Sequence, residues 1–327
     1  MSAGGAAVNT GGGGGNAPDS SLLSSPLLAV VNPAAGGGRC GKLVGPALDQ
    51  LRAAGVRLEV VEAQYPGHGS ELARAAYKAG QRRFLAVGGD GTSYEIVNGL
   101  FPGAEAGERP TLGFLPLGTG NSFLRDFTGH LTTEQATEES ARALIERRSR
   151  PCDVLRMTHS GGVIHYINLL SMGFTADVAA LTNRQFKPLG ELGYLLGVVI
   201  RMARLKRRAF PLRVDEDTEW DRRRCLFLTF SNSKFTGGKM MIAPQADISD
   251  GLIEFVRWGP IGRLGLIANL HRLYDGSHVS HPLAARRAAR RIEFDLQGPV
   301  DVMVDGEVLR LDCKTLDVLP GALDIVI

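Results

Sequence analysis

The stretch Phe84-Leu-Ala-Val-Gly-Gly-Asp-Gly-Thr-Ser-Tyr-Glu-Ile-Val-Asn-Gly-Leu100 decides the fold of this chain. Its pattern predicts a short buried strand over Phe84 to Val87, a glycine turn over Gly88 to Thr92, and then a helix. In this geometry backbone N–H groups converge at a helix N-terminus and can hold an anion. Asp90 lies among the glycines, where its carboxylate would repel a phosphate unless a metal ion lay between them. The turn therefore suggests a Mg²⁺-phosphate site, with an ordinary tight turn between strand and helix as the alternative.

Two further strands end in glycine-rich turns. Pro26 to Val31 leads into Asn32 to Gly38, and Thr111 to Leu115 leads into Pro116 to Ser122. The helices between them are expected from about Gly41 to Ala54 and over Glu71 to Ala79, with another strand over Arg57 to Val61. A parallel sheet places all three turns at one edge, where open α/β sheets bind ligands. The run Gly36 to Lys42 has Walker A spacing, but Leu43 replaces the Ser or Thr that binds Mg²⁺, so we reject that assignment.

The second half of the chain has a different pattern. Short segments of alternating polarity, separated by Gly, Pro, Asn and Asp, predict a mostly antiparallel β-sandwich or flattened barrel. The expected strands are 152–157, 165–171, 212–214, 225–230, 251–257, 291–296, 300–304 and 314–319, with helices near 189–206 and 262–274. We expect a Gly/Ser-rich disordered tail over 1–25, a nucleotide-binding α/β domain over 26–148 and a substrate domain over 149–327, with the extreme C-terminus able to pack on the first domain. The crevice between the domains is the expected active site.

Composition excludes several classes of protein. The net charge of +3 is too weak to indicate nucleic acid binding, and 44% apolar residues are enough for a sizeable core. The four cysteines are far apart and fit neither a zinc site nor a disulfide framework, so we expect a reducing, cytoplasmic location. No apolar run reaches about 18 residues, so any membrane contact is expected to be peripheral.

Basic residues are clustered in the second half, in the runs Arg201 to Arg208, Arg222 to Arg224 and Arg286 to Arg291. A solvated surface explains such runs. The alternative is attraction to an anionic membrane surface, where each basic residue contributes roughly 1 kcal/mol.

The ordered motifs resemble the diacylglycerol kinase catalytic-domain family, which includes bacterial lipid kinases and the sphingosine and ceramide kinases. The matching segments are Gly88 to Thr92 with Glu95 and Asn98-Gly99, Leu115 to Asn121 with Arg125, Asn168 to Phe174, Gly237-Gly238 with Ala243 to Leu252, and Asp305-Gly-Glu307. The resemblance extends from Leu27 to the C-terminus. It implies an ATP- and Mg²⁺-dependent lipid kinase, most readily one that converts diacylglycerol to phosphatidic acid in phospholipid metabolism.

The resemblance also assigns roles to individual residues. Glu307 corresponds to the general base, with a plain hairpin as the alternative. From their chemistry, we expect the other candidate catalytic residues to be Asp90, which would hold the metal or form an Asx turn, and Asp305, which would orient Glu307 or share the metal. Residues matching the family's ATP contacts are Asn32, Pro33, Ala34, Ala35, Gly36, Gly89, Asp90, Gly91, Thr92, Ser93, Tyr94, Glu95 and Thr119. Asp247, Asp250 and the carbonyl of Leu252 match a structural Mg²⁺ site, although a polar turn before a strand explains the same segment.

Two positions depart from the family pattern. Ala63 stands where a Thr often contacts ATP, and Ser122 stands where an Asp usually follows Gly-Thr-Gly-Asn. The identity of the acceptor lipid stays open, and so does a homodimer. A kinase of a soluble substrate, similar to NAD kinases, and a non-catalytic nucleotide or lipid sensor are the competing functions.

Overall fold

The computed structural model describes residues 25–182, 197, 200, 202, 204–237 and 239–327. The expected N-terminal tail, Gly238 and most of the expected helix near 189–206 lie outside these residues. The strands are β1 Leu27–Val31, β2 Leu58–Glu62, β3 Arg83–Gly88, β4 Thr111–Pro116, β5 Ser149–His159, β6 Gly162–Tyr166, β7 Leu169–Gly173, β8 Arg208–Ala209, β9 Leu212–Val214, β10 Arg224–Cys225, β11 Phe227–Ser231, β12 Phe235–Thr236, β13 Met240–Met241, β14 Ile253–Trp258, β15 Ala284–Ala289, β16 Arg291–Phe294, β17 Val300–Val304, β18 Glu307–Leu311 and β19 Cys313–Val326.

The helices are α1 Arg39–Ala53, α2 His68–Lys78, α3 Asp90–Leu100, α4 Arg125–Thr128, α5 Thr133–Glu146, α6 Phe174–Leu181, α7 Arg263–Asn269 and α8 Arg272–Asp275. Short 3₁₀ turns span Gly103–Glu105 and Ser277–Ser280. Among the described residues, no helix has both the length and the apolar character needed to span a bilayer.

The N-terminal half is an α/β domain whose sheet is parallel in the order β2-β1-β3-β4. β1 is buried along its whole length because the sheet is covered on both faces. Leu27, Ala29 and Val31 pack with side chains of α1 and α5, whereas Leu28 and Val30 pack with side chains of α2 and α3. The predicted α/β domain with a parallel sheet is confirmed.

The sheet does not end with the parallel strands. Residues 324–326 of β19 pair in parallel with residues 111–113 of β4, and β19 also pairs antiparallel with β5 and β16. The first sheet therefore continues through β19, β16 and β9, with β5 paired to β19 and β6 paired to β5.

A second sheet, antiparallel in the order β15-β14-β11-β7-β17-β18, lies against the extension of the first. Their shared core combines Leu155, Leu212 and Ile292 of the first sheet with Leu170 and Phe255 of the second. The predicted antiparallel β-sandwich is confirmed.

Several element boundaries predicted from the sequence are wrong. Residues 165–171, expected as one strand, divide into the end of β6 and the start of β7, because the amides of Ile167, Asn168 and Leu169 bond to the Asp305 carboxylate instead of to a strand. α2 begins at His68 rather than at Glu71. The expected helix over 262–274 divides into α7 and α8.

Candidate active site

The three glycine turns meet at the carboxyl edge of the parallel strands. The amide of Gly118 donates to the Gly88 carbonyl at 2.8 Å, and that of Asn32 donates to the Val87 carbonyl at 3.0 Å. A Cβ on Gly118 would lie 2.7 Å from the Cα of Gly89, so only glycine permits this approach. The turns form one continuous backbone surface.

The first turn, Asn32 to Gly36, leads into α1. Backbone bonds from Ala35 to Asn32 and from Gly41 to Pro33 hold it closed, while Ala34 is exposed. Gly36 has a φ of 64°, and a Cβ on it would lie 3.1 Å from the carbonyl oxygen of Leu117 in the third turn. Thr119, the predicted contact in that third turn, is exposed at the rim.

α3 begins directly at the second turn. Its N-cap, Gly89, provides no side-chain cap, so the first N–H groups of α3 are available to an anion. Ser93 donates its hydroxyl to the carbonyl of Asp90. The buried hydroxyl of Thr92 has no hydrogen-bond partner in the part of the chain that the structure describes.

Glu95 and Tyr94, two of the predicted ATP contacts, interact with other parts of the protein. The Glu95 carboxylate accepts the amides of Gly67 at 2.8 Å and Gly69 at 2.9 Å, and so caps the start of α2. This cap explains why α2 begins earlier than predicted. Tyr94 packs against the core of the sandwich, and burial together with the nearby Asp305 and Glu307 raises its pKa.

Asp90 ties the second turn to the third. Its carboxylate accepts the amide of Ser122 at 2.9 Å and, more weakly, that of Phe123 at 3.4 Å. Burial raises the pKa of Asp90 to about 6, although these amides oppose the increase. Ser122, which stands where the family usually has an aspartate, therefore binds Asp90 through its backbone amide.

Asp305 lies in the turn between β17 and β18, in the second domain. It is 3% exposed, and its carboxylate accepts the amides of Ile167, Asn168 and Leu169 at 3.0–3.1 Å. Burial raises the pKa of Asp305 to about 7, with Asp90 adding to the increase. Its φ of 46° is a left-handed conformation that aspartate tolerates better than most residues.

Glu307 reaches the N-terminus of α3 from the second domain. A Cβ on Gly91 would lie 3.0 Å from Oε1 of Glu307, so the carboxylate rests against the first turn of that helix. Its side chain is exposed to solvent. The predicted residues Asp90, Asp305 and Glu307 are thus brought to one place by two domains.

The predicted metal site is a separate turn before β14. Asp247 accepts the amide and hydroxyl of Ser249, and Asp250 accepts the amide of Leu252. Burial raises the pKa of Asp250, and its acidic neighbours, including Asp247, add to the increase. Two carboxylates and the Leu252 carbonyl can supply hard oxygen ligands, but these two Asp side chains are already bonded within the turn.

Sequence reasoning missed the role of Asp153, which is 1% exposed in β5. Its carboxylate accepts the amides of Gly251 and Gly321, each at 2.7 Å, and so joins the acidic turn to β19. A carboxylate in the otherwise apolar run Cys152-Asp-Val-Leu155 is the signal that could have indicated a buried, bonded side chain.

The site fits the groups that the resemblance implies. The glycine turns leave space that a Cβ would fill, and the orphaned Thr92 hydroxyl and the uncapped α3 N-terminus can meet phosphate oxygens. Across the described ranges, no three His, Cys, Asp or Glu side chains form a metal cage. Mg²⁺ in kinases is held by one or two carboxylates together with substrate phosphates. Asp90 and Asp305 would be those carboxylates, because a carboxylate has about four acceptor positions, of which amides occupy two on Asp90 and three on Asp305.

Two family models together match most of the chain. Residues 26–157 match the diacylglycerol kinase catalytic domain, and residues 168–327 match the YegS C-terminal NAD kinase beta sandwich-like domain. A Chromohalobacter salexigens protein named "Probable lipid kinase YegS-like" is 32% identical over 85% of this chain and 86% of its own length. A Mycobacterium tuberculosis protein named diacylglycerol kinase is 25% identical over 90% of this chain and 93% of its own.

Solved structures agree on the fold. A diacylglycerol kinase structure from Bacillus anthracis aligns with a TM-score of 0.66 at 18% identity, over 92% of this chain and 96% of that one. A second structure from the same organism aligns with a TM-score of 0.73 at 22% identity, over 92% of this chain and 94% of that one. The two domain matches and the relative at 32% identity show that the chain belongs to the diacylglycerol kinase and YegS-like lipid kinase family.

Proposed function

We propose that the protein is an ATP- and Mg²⁺-dependent lipid kinase that phosphorylates the free hydroxyl of diacylglycerol to give phosphatidic acid. The observation that carries the proposal is the position of Glu307. This carboxylate comes from the second domain and lies against Gly91, at the N-terminus of α3, the helix that follows the second glycine turn. A base at this position is close to any phosphate held by the turn.

Phosphoryl transfer needs positioned phosphates, neutralised charge and a group that orients or deprotonates the attacking hydroxyl. When bound, Mg²⁺-ATP supplies the phosphoryl group and much of the charge neutralisation. The backbone of the three turns would hold the phosphates, and Asp90 and Asp305 would hold the metal. Glu307 accepts the proton of the acceptor hydroxyl. The oxygen of that hydroxyl forms a bond to the γ-phosphorus, and the bond between the γ-phosphorus and the β-phosphate oxygen breaks.

The raised pKa values of Asp90 and Asp305 support a shared cation. Two neighbouring carboxylates in a buried place retain a proton unless a positive charge replaces it. The relatives named lipid kinase and diacylglycerol kinase support a lipid acceptor. Catalysis at a membrane surface by a cytoplasmic enzyme is part of the same proposal.

The test is transfer of radiolabelled phosphate from ATP to lipids in mixed micelles. The panel contains diacylglycerol, monoacylglycerol, sphingosine, ceramide and phosphatidylglycerol, with NAD as a soluble acceptor. We expect diacylglycerol to be the best acceptor and Glu307→Gln to lower kcat by about 10²–10⁴-fold. Because Glu307 is exposed, this variant should keep the wild-type melting temperature.

Each competing function predicts a different result. Turnover of NAD without lipid would support a soluble-substrate kinase. Binding of both nucleotide and lipid without turnover would support a sensor. Full activity in both Glu307→Gln and Asp90→Asn would contradict the assignment of the site.

A further inference from the structure

The three basic runs are partly neutralised within the protein, and the runs Arg222 to Arg224 and Arg286 to Arg291 are neutralised most. Six of their side chains form ion pairs: Arg208 with Asp177, Arg222 with Asp295, Arg223 with Asp221, Arg286 with Glu254, Arg287 with Asp217, and Arg291 with Glu293. A paired arginine presents little net charge to a distant anionic surface. The runs Arg222 to Arg224 and Arg286 to Arg291 therefore offer little net charge to a membrane, whereas Arg204, Lys206 and Arg207 of the first run form no ion pair with any described residue.

α7 exposes apolar side chains instead of burying them. Leu264 is 82% exposed and Ile267 is 56% exposed, while Leu266 between them is fully buried and anchors the helix. Residues three apart lie on the same side of a helix, so Leu264 and Ile267 project together. Tyr274 of α8, 51% exposed, adds a further large side chain nearby in the chain.

The anchor of α7 belongs to a hydrophobic layer on the face of β17 and β18 that is opposite to Glu307. Leu266 and Leu273 share one buried cluster with Met303 of β17, and Val308 packs against the same cluster. Val308 directly follows Glu307 in the sequence. The exposed face of α7 therefore lies at the outer side of the apolar layer that backs the catalytic strand.

Positive charge surrounds this layer. Met202 and Leu205 also pack against the cluster, and their exposed neighbours Arg204, Lys206 and Arg207 form no ion pair with any described residue. The same holds for Arg263 and Arg272, which lie on α7 and α8. Asp275 is the acidic residue of these segments, so cations outnumber it.

We propose that α7, through Leu264 and Ile267, inserts into the surface of an anionic lipid bilayer, with Arg204, Lys206, Arg207 and Arg263 meeting the headgroups. This inference rests on the proposed lipid kinase function, because it places the enzyme at the surface that contains the acceptor lipid. Apolar side chains combined with flanking cations bind anionic interfaces. A second copy of the chain fits less well, since a symmetric contact would bring the same cations together.

Sedimentation of the full chain with vesicles tests the proposal without requiring turnover. Vesicles of phosphatidylglycerol and phosphatidylcholine are compared with vesicles of phosphatidylcholine alone. We expect preference for the anionic vesicles, a loss of about tenfold in affinity for Leu264→Ser, and a loss of about a hundredfold for Leu264→Ser with Ile267→Ser. Arg263→Glu should weaken binding to anionic vesicles only.

Matched controls separate this surface from general effects. Leu43→Ser changes an exposed leucine on α1, and Arg224→Glu changes an exposed arginine of one of the three runs; both should bind vesicles like the wild type. Turnover of a short-chain, water-soluble diacylglycerol should be the same in all variants, because α7 is outside the catalytic machinery. Circular dichroism spectra and melting temperatures are measured to check that each variant is folded.

Three results would overturn the docking proposal. These are wild-type vesicle binding by the double variant, equal losses in the control variants, and no binding of the wild type to either vesicle. A change from dimer to monomer in the double variant with unchanged vesicle binding would assign the surface to a second copy. If vesicle binding depends on Leu264 but no variant phosphorylates any lipid, the proposed kinase function fails while the docking surface stands.

Discussion

Asn98 of α3 and His165 of β6 are joined by two hydrogen bonds that run in opposite directions. The His165 amide donates to Oδ1 of Asn98 at 2.9 Å, and Nδ2 of Asn98 donates to the His165 carbonyl at 2.8 Å. The same nitrogen also donates to the carbonyl of Tyr94. One side chain therefore links the helix that carries Asp90 to the strand that leads to the amides around Asp305.

Replacing Asn98 by Ala should separate catalysis from nucleotide binding. The variant leaves buried backbone groups of His165 unpaired, so we expect the free energy of unfolding to fall by about 2–4 kcal/mol. The glycine turns remain within the first domain, so the dissociation constant of a non-hydrolysable ATP analogue should change by less than about twofold. Because Glu307 is displaced relative to the turns, kcat should fall at least tenfold.

Gln135→Ala provides the control for lost stability. This residue completes a capping box at the start of α5, away from the domain boundary. We expect about 1 kcal/mol of destabilisation with unchanged kcat. If Asn98→Ala weakens nucleotide binding as much as it lowers kcat, Asn98 is a general stabilising residue and the positioning role is wrong.

The raised pKa values of the two buried aspartates predict how stability depends on pH. The folded values for Asp90 and Asp305, about 6 and about 7, exceed the ordinary value of 3.8. Between roughly pH 4 and 7 the folded protein therefore binds more protons than the unfolded chain. The stability from these groups is fully present below about pH 4, is lost as the pH rises through this range, and levels off above it.

Asp90→Asn tests this pH dependence. Asparagine can still accept the Ser122 amide, but it removes the charge, so in metal-free buffer at pH 8 we expect a melting temperature a few degrees above that of the wild type. At pH 4 the difference should disappear, because Asp90 is then protonated. Loss of the carboxylate should lower kcat by at least about 10²-fold. Asp49→Asn, which removes the same charge at an exposed position, should change neither the melting temperature nor kcat. A lower melting temperature of Asp90→Asn at pH 8 would show instead that the charge of Asp90 stabilises the turn.

The sequence predicted the parts of the fold that depend on local patterns. The buried run of β1 and the glycine turns could be read directly, because both need particular residue types at adjacent positions. The order of the strands in the sheet could not be predicted. β19 pairs with β4 more than 200 residues earlier, and alternating polarity does not identify a strand's partner.

The candidate site also divides into features that local motifs predict and features that depend on distant residues. Asp90 and Glu307 were recognised by their motifs, but the role of the Asp305 carboxylate depends on amides 136–138 residues away. The net charge of the arginine-rich runs could not be predicted for a similar reason. Arg286 of β15 is neutralised by Glu254 of β14, a pair created by strand register rather than by proximity in the sequence.

The acidic turn before β14 predicts an effect of Mg²⁺ on stability. If Asp247, Asp250 and the Leu252 carbonyl bind the ion, Mg²⁺ at a hundred times its dissociation constant should raise the free energy of unfolding by about 2.7 kcal/mol. We expect Asp250→Asn to abolish this increase in nucleotide-free protein, and Asp90→Asn to retain it. An equal response of Asp250→Asn and the wild type would leave the segment as a polar turn held by Ser249 and Asp153.

Contact between the second and third glycine turns predicts opposite outcomes at two nearby glycines. A Cβ on Gly118 would meet the Cα and amide of Gly89 at 2.7 and 2.9 Å, whereas a Cβ on Gly120 would meet only Oδ2 of Asp90 at 3.7 Å. Gly118→Ala must push the turns apart, so we expect about 1–3 kcal/mol of destabilisation and at least a tenfold loss of nucleotide affinity. Gly120→Ala should change both by little. Calorimetric titration with an ATP analogue and thermal melts of the two variants measure the difference, and equal behaviour would show that the contact between the turns does not shape the nucleotide site.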